Sequence, residues 1–72
     1  MGTMKDPSPQ ELADTWNQLA GDQIDPDALA SLVAAIRHWP TGRLATGAGR
    51  RGPTIVVSWQ KVSGSTYVTM RS

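Results

Sequence analysis

The sequence predicts a small α+β domain in which a two-helix hairpin is followed by a long Gly/Arg loop and a C-terminal antiparallel β-hairpin. Three observations carry that expectation. Apolar residues recur with helical spacing as far as Trp39 and alternate from Thr54 onward, and the stretch between is rich in glycine, proline and arginine. A chain of 72 residues is one domain at most, and a domain of that size buries only about 60% of its unfolded surface. With no Phe, the large side chains Trp16, Trp39, Trp59 and Tyr67 must supply much of that burial.

Ser8-Pro9-Gln10-Glu11 has the form of a helix start, with Ser8 as cap, Pro9 at the first helical position and Glu11 completing a capping box. The helix is expected to run to Ala20. Leu12, Trp16, Leu19 and Ala20 make one apolar stripe, and Gly21 is the stop. Asp25-Pro26-Asp27 repeats the start signal, and Leu29, Leu32, Val33, Ile36 and Trp39 or Ala35 mark the buried stripe of a second helix that Pro40 ends. So short a connection makes the pair an αα-hairpin, with Ile24 tucked beneath it.

From Pro40 to Pro53 the glycines, prolines and arginines read as a loop, anchored at most by Leu44. Thr54 to Val62 and Ser65 to Met70 then alternate as strands around the two-residue turn Ser63-Gly64. That turn sets Lys61 opposite Thr66, Trp59 opposite Val68 and Val57 opposite Met70. Ile55, Val57, Trp59, Val68 and Met70 become the core face. Val56, Ser58, Gln60, Val62, Ser65, Tyr67 and Thr69 become an open one. Residues 1–7 read as a disordered leader, partly vector-derived because Met1-Gly2-Thr3 precedes a second methionine. Residues 8–70 read as the domain and 71–72 as a tail.

The order helix, helix, strand, strand resembles a winged-helix domain at the level of architecture. That analogy implies a third, recognition helix inside the Gly/Arg loop.

All six acidic residues lie in the first 27 positions, where Lys5 is the only base. From Ala28 onward the charged residues are Arg37, Arg43, Arg50, Arg51, Lys61 and Arg71, so the chain divides into about −5 and about +6. A net charge of +1 hides this dipole. The basic half calls for an anionic partner. The absence of cysteine removes disulfides, thiolate metal sites and a cysteine nucleophile and fits a cytoplasmic protein; the single histidine, His38, leaves a metal site short of ligands. No metal or cofactor is expected. No apolar run approaches the ~20 residues that span a bilayer, so no membrane partner is expected either.

Gly47-Ala48-Gly49-Arg50-Arg51-Gly52 matches the string G-x-G-x-x-G, but it precedes a strand where a dinucleotide site needs a preceding strand and a following helix. Gly42 and Gly47 have the spacing of a P-loop, which fails at Ala48, where a lysine is required. The same residues form a basic finger, two arginines between glycines that let guanidinium groups follow a phosphate backbone or enter a groove. The plainer role of such arginines is to keep a long loop solvated. His38 at a helix end suits the dipole better than catalysis, and no Ser-His-Asp or paired-carboxylate arrangement can be assembled, so the chain reads as a non-enzyme.

The leading expectation is therefore a small nucleic-acid-binding regulator using Arg37, Arg43, Arg50, Arg51 and Lys61 on phosphates, with Tyr67 and Gln60 on the open hairpin face to stack on or bond a base. A second expectation is an adaptor or inhibitor docking on a larger protein through the acidic first helix, at Glu11 and Asp14, or through the basic loop. A free hairpin edge would also permit homodimerisation by strand pairing. Under the leading expectation, an Arg50→Ala, Arg51→Ala double change weakens binding to all nucleic-acid sequences alike, measurable by fluorescence anisotropy; unchanged affinity removes the finger from the site.

Overall fold

The computed structural model describes residues 3–46 and 54–71. In chain order the elements are β1 (Thr3–Lys5), α1 (Pro9–Ala20), α2 (Pro26–His38), β2 (Thr41–Thr46), β3 (Ile55–Val62) and β4 (Ser65–Arg71). The strands form one antiparallel sheet in the order β1-β4-β3-β2. Both helices pack on the same face of it, so the fold is a two-layer α+β sandwich.

The local signals produce the elements they encode. Glu11 N donates to Ser8 Oγ and Ser8 N donates to Glu11 Oε1, each at 3.2 Å, which satisfies two donors at the start of α1. The helix closes at Gly21, whose N–H donates to Asn17 O at 2.8 Å. At α2 the sequence placed Asp25 as a side-chain cap, and here the structure differs. Asp25 holds the N-cap position, but its side chain makes no cap bond; its carbonyl accepts from Leu29 N at 2.9 Å. Ile24 is buried beneath the connection, as expected.

Hairpin β3–β4 has the anticipated register, including Lys61↔Thr66, Trp59↔Val68 and Val57↔Met70. Its turn is left-handed at both Ser63 (φ 53°) and Gly64 (φ 85°), the geometry that matches the twist of tight hairpins. Ile55, Val57, Trp59, Val68 and Met70 are all buried against Leu12, Trp16, Ile24 and Leu32.

Three expectations are corrected. The segment after Pro40 begins with a strand: Thr41–Thr46 pairs with β3, with Leu44 on the core side and Arg43 outward. A third helix cannot occupy those positions, and residues 47–53 lie outside the described residues. At the other end, Thr3–Lys5 pairs with β4, setting Met4 opposite Val68, and Arg71 is the last residue of β4; neither is a loose leader or tail. β1 and β2 therefore flank the hairpin on both sides, so the edges of the sheet are β1 and β2 and not the hairpin strands. The third correction is Trp39, which is 55% exposed and not core. Proline restricts the residue before it to extended backbone, and Trp39 has φ −114° and ψ 132°, so its indole leaves the helical stripe at the turn where it would have packed.

What admits β2 to the sheet is a contact across it. Gly42 lies opposite Trp59, and a Cβ at position 42 would overlap the indole at Cζ2, Cε2 and Cη2. Glycine is poor in strands, and here its missing side chain is the space the indole fills. The buried indole N–H of Trp59 donates to Trp39 O at 2.9 Å, tying the end of α2 to the sheet. Trp16, equally buried, has no hydrogen-bond partner for its Nε1 among the described residues.

These packing and hydrogen-bond relations set the expected stability of three variants. Gly42→Ala must displace a packed ring and is expected to cost about 1–3 kcal/mol by urea denaturation. Trp59→Phe strands the Trp39 carbonyl, whereas Trp16→Phe removes an unpaired donor, so the first is expected to cost more than the second by roughly 1–2 kcal/mol. Equal costs would show that the Trp59 bond contributes nothing.

Candidate nucleic-acid interface

Strand alternation divides the sheet into two faces, and the face away from the helices is polar. Its residues form cross-strand rows. One row runs Lys5, Tyr67, Gln60 and Thr41, and the next runs Thr3, Thr69, Ser58 and Arg43. Neighbouring strands lie about 4.8 Å apart, so a row of four spans roughly 15 Å. Thr3 Oγ1 and Thr69 Oγ1 are 3.3 Å apart, joining the edge strand to the hairpin through side chains. A shallow depression opens along these rows, lined by Thr3, Arg43, Ser58, Gln60, Tyr67 and Thr69.

Tyr67 stands near the middle of this face, half-buried between its row neighbours, with Lys5 on one side and Gln60 on the other. Arg43, Lys5 and Arg71 are exposed. The strands contain Lys5, Arg43, Lys61 and Arg71 and no acidic residue. Four of the six acids are engaged elsewhere, three of them in holding the chain's own backbone. Glu11 completes the cap of α1, Asp14 Oδ1 accepts from Gln10 Nε2 at 2.9 Å, Asp22 Oδ1 accepts from Gln23 N at 2.8 Å, and Asp6 Oδ1 accepts from Thr66 N at 2.9 Å. The open face thus combines cations, a flat aromatic ring and amide and hydroxyl groups. These are the groups that hold phosphates, stack on a base and bond its edge.

The structure separates the residues that sequence reasoning grouped. Arg43, Gln60 and Tyr67 share the open face. Lys61 alternates to the helix side and lines a cleft with Arg37 at the hairpin end of the molecule, so these two stand apart from the first three. Arg50 and Arg51 lie outside the described residues. Lys5, Arg71, Ser58, Thr3 and Thr69 join the open face without having been singled out as site residues. Lys5 and Thr3 needed the pairing of β1, which three residues cannot announce; Ser58 and Thr69 were already in phase with Gln60 and Tyr67.

Among the described residues no group of three or more His, Cys, Asp and Glu side chains is placed to hold a metal ion. No helix among them is long and apolar enough to cross a membrane. Comparison with known proteins gives no match to any family, curated protein or solved structure.

Proposed function

We propose that the protein is a small nucleic-acid-binding regulator whose contact surface is the open face of the sheet. One observation supports this reading above the others: every charge on the four strands is basic, while a half-buried tyrosine and a glutamine sit side by side in the middle of the open face. Lys5, Arg43 and Arg71 take phosphates, and Tyr67 and Gln60 take a base by stacking and hydrogen bonding. A sheet face carrying one accessible ring suits unpaired bases, which offer a π-face, better than the stacked interior of a duplex.

The alternative, an adaptor using the acidic first helix, draws less support from the geometry. Glu11 and Asp14 already bond within α1, and a partner would have to compete with those bonds.

The expected behaviour is a fall of log affinity with log salt for single-stranded oligonucleotides, read by fluorescence anisotropy. A Lys5→Gln, Arg43→Gln double change is expected to reduce that slope by about 0.7 for each phosphate that is no longer neutralised. Tyr67→Leu is expected to weaken binding by roughly 1–3 kcal/mol, with Tyr67→Phe close to wild type, because the ring and not the hydroxyl does the stacking. Salt-independent binding, or none to DNA or RNA, would overturn the proposal.

A further inference from the structure

A second concavity lies on the other side of the sheet, at the hairpin end. It has a volume of about 520 Å³, in the range of small-molecule sites. Its floor is apolar: Leu12 of α1 with Val33 and Ile36 of α2, the first buried and the others half-buried. One wall is Trp39, the most exposed large apolar side chain among the described residues. Its ring is braced edge to face against the His38 imidazole, with centroids 4.5 Å apart and planes at 84°.

The charge on this cleft is lopsided. Arg37 comes to it from α2 and Lys61 from β3, so two separate elements bring cations to one rim. The acid among the lining residues is Asp6, and its carboxylate is already held by the Thr66 N–H at 2.9 Å. Pro7, Pro9 and Pro40 also line the cleft, and prolines offer no N–H donors, which makes their stretches of wall poor partners for an extended peptide backbone. An apolar floor, a flat aromatic wall and a cationic rim are together complementary to one kind of occupant.

We propose that this cleft is a binding site for a small aryl carboxylate, its ring against Trp39 and the floor residues and its carboxylate between Arg37 and Lys61. The site is separate from the open face. Pro40 creates it, since the extended backbone forced on Trp39 is what leaves the indole at the surface.

The test is an NMR titration of the full chain with indole-3-acetate and, separately, with the neutral indole-3-acetamide at matched ionic strength. The expected result is saturable shifts confined to the Trp39 indole N–H and the amides of Val33, Arg37 and Lys61, with the acetamide binding at least about tenfold more weakly. Arg37→Gln and Lys61→Gln each weaken the acetate several-fold and leave the acetamide unchanged; both residues are exposed, and circular dichroism confirms that the variants are folded. Arg43→Gln, on the open face, changes neither ligand. Equal affinity for the two ligands, shifts centred on Arg43 and Tyr67, or no saturation at millimolar ligand would each overturn the proposal.

Discussion

Trp59 joins the end of α2 to the middle of the sheet. Its ring fills the space that Gly42 leaves open, its N–H donates to the carbonyl of Trp39 at 2.9 Å, and its backbone pairs with Val68 in the neighbouring strand. The Trp39 carbonyl belongs to the residue that terminates α2, where the helix itself no longer supplies a donor. A buried indole N–H equally requires an acceptor. Each group answers the need of the other. The bond fixes where the chain leaves α2, and β2 begins two residues later, already in position to pair with β3. Arg43 reaches the open face only because β2 is a strand there.

How far the sequence carries depends on whether a signal is local. The capping box at Ser8 and Glu11, the proline starts of both helices and the Ser63-Gly64 turn are complete within a few residues, and the hairpin register follows from the turn alone. From that register Gln60 and Tyr67 emerge as neighbours on a solvent face. β2 is different. Thr41-Gly42-Arg43 has little strand character, and its pairing depends on a tryptophan seventeen residues away from Gly42 in sequence that needs a glycine opposite it. β1 has three residues, too few to display a period, and owes its place to β4. The departure at Trp39 has a local cause. Helical phase places it in the core, and Pro40 overrides the phase by forbidding the helical backbone at that residue.

The charge asymmetry of the sequence becomes a division of labour in space. Glu11, Asp22 and Asp6 accept from the chain's own N–H groups and Asp14 from the Gln10 amide, while Asp27 stands in the first turn of α2, where the helix dipole favours an acid. The bases among the described residues instead stand on strands and at the end of α2, and all are exposed. Alternation then separates them again: Arg43 projects from one face of the sheet and Lys61 from the other. The basic half of the sequence is thus shared between two surfaces, each with a concavity of about 520 Å³, one lined by strand residues alone and the other by residues of both helices and the hairpin. Their different walls suit different ligands.

The claim that the open face is the nucleic-acid surface is tested most directly by mapping amide shifts during titration with a single-stranded oligonucleotide. Perturbations are expected to concentrate at Lys5, Arg43, Ser58, Gln60, Tyr67 and Thr69, with α1 unaffected. Perturbations centred on α1, or their absence at all of these strand positions, would show that the open face is not the binding surface.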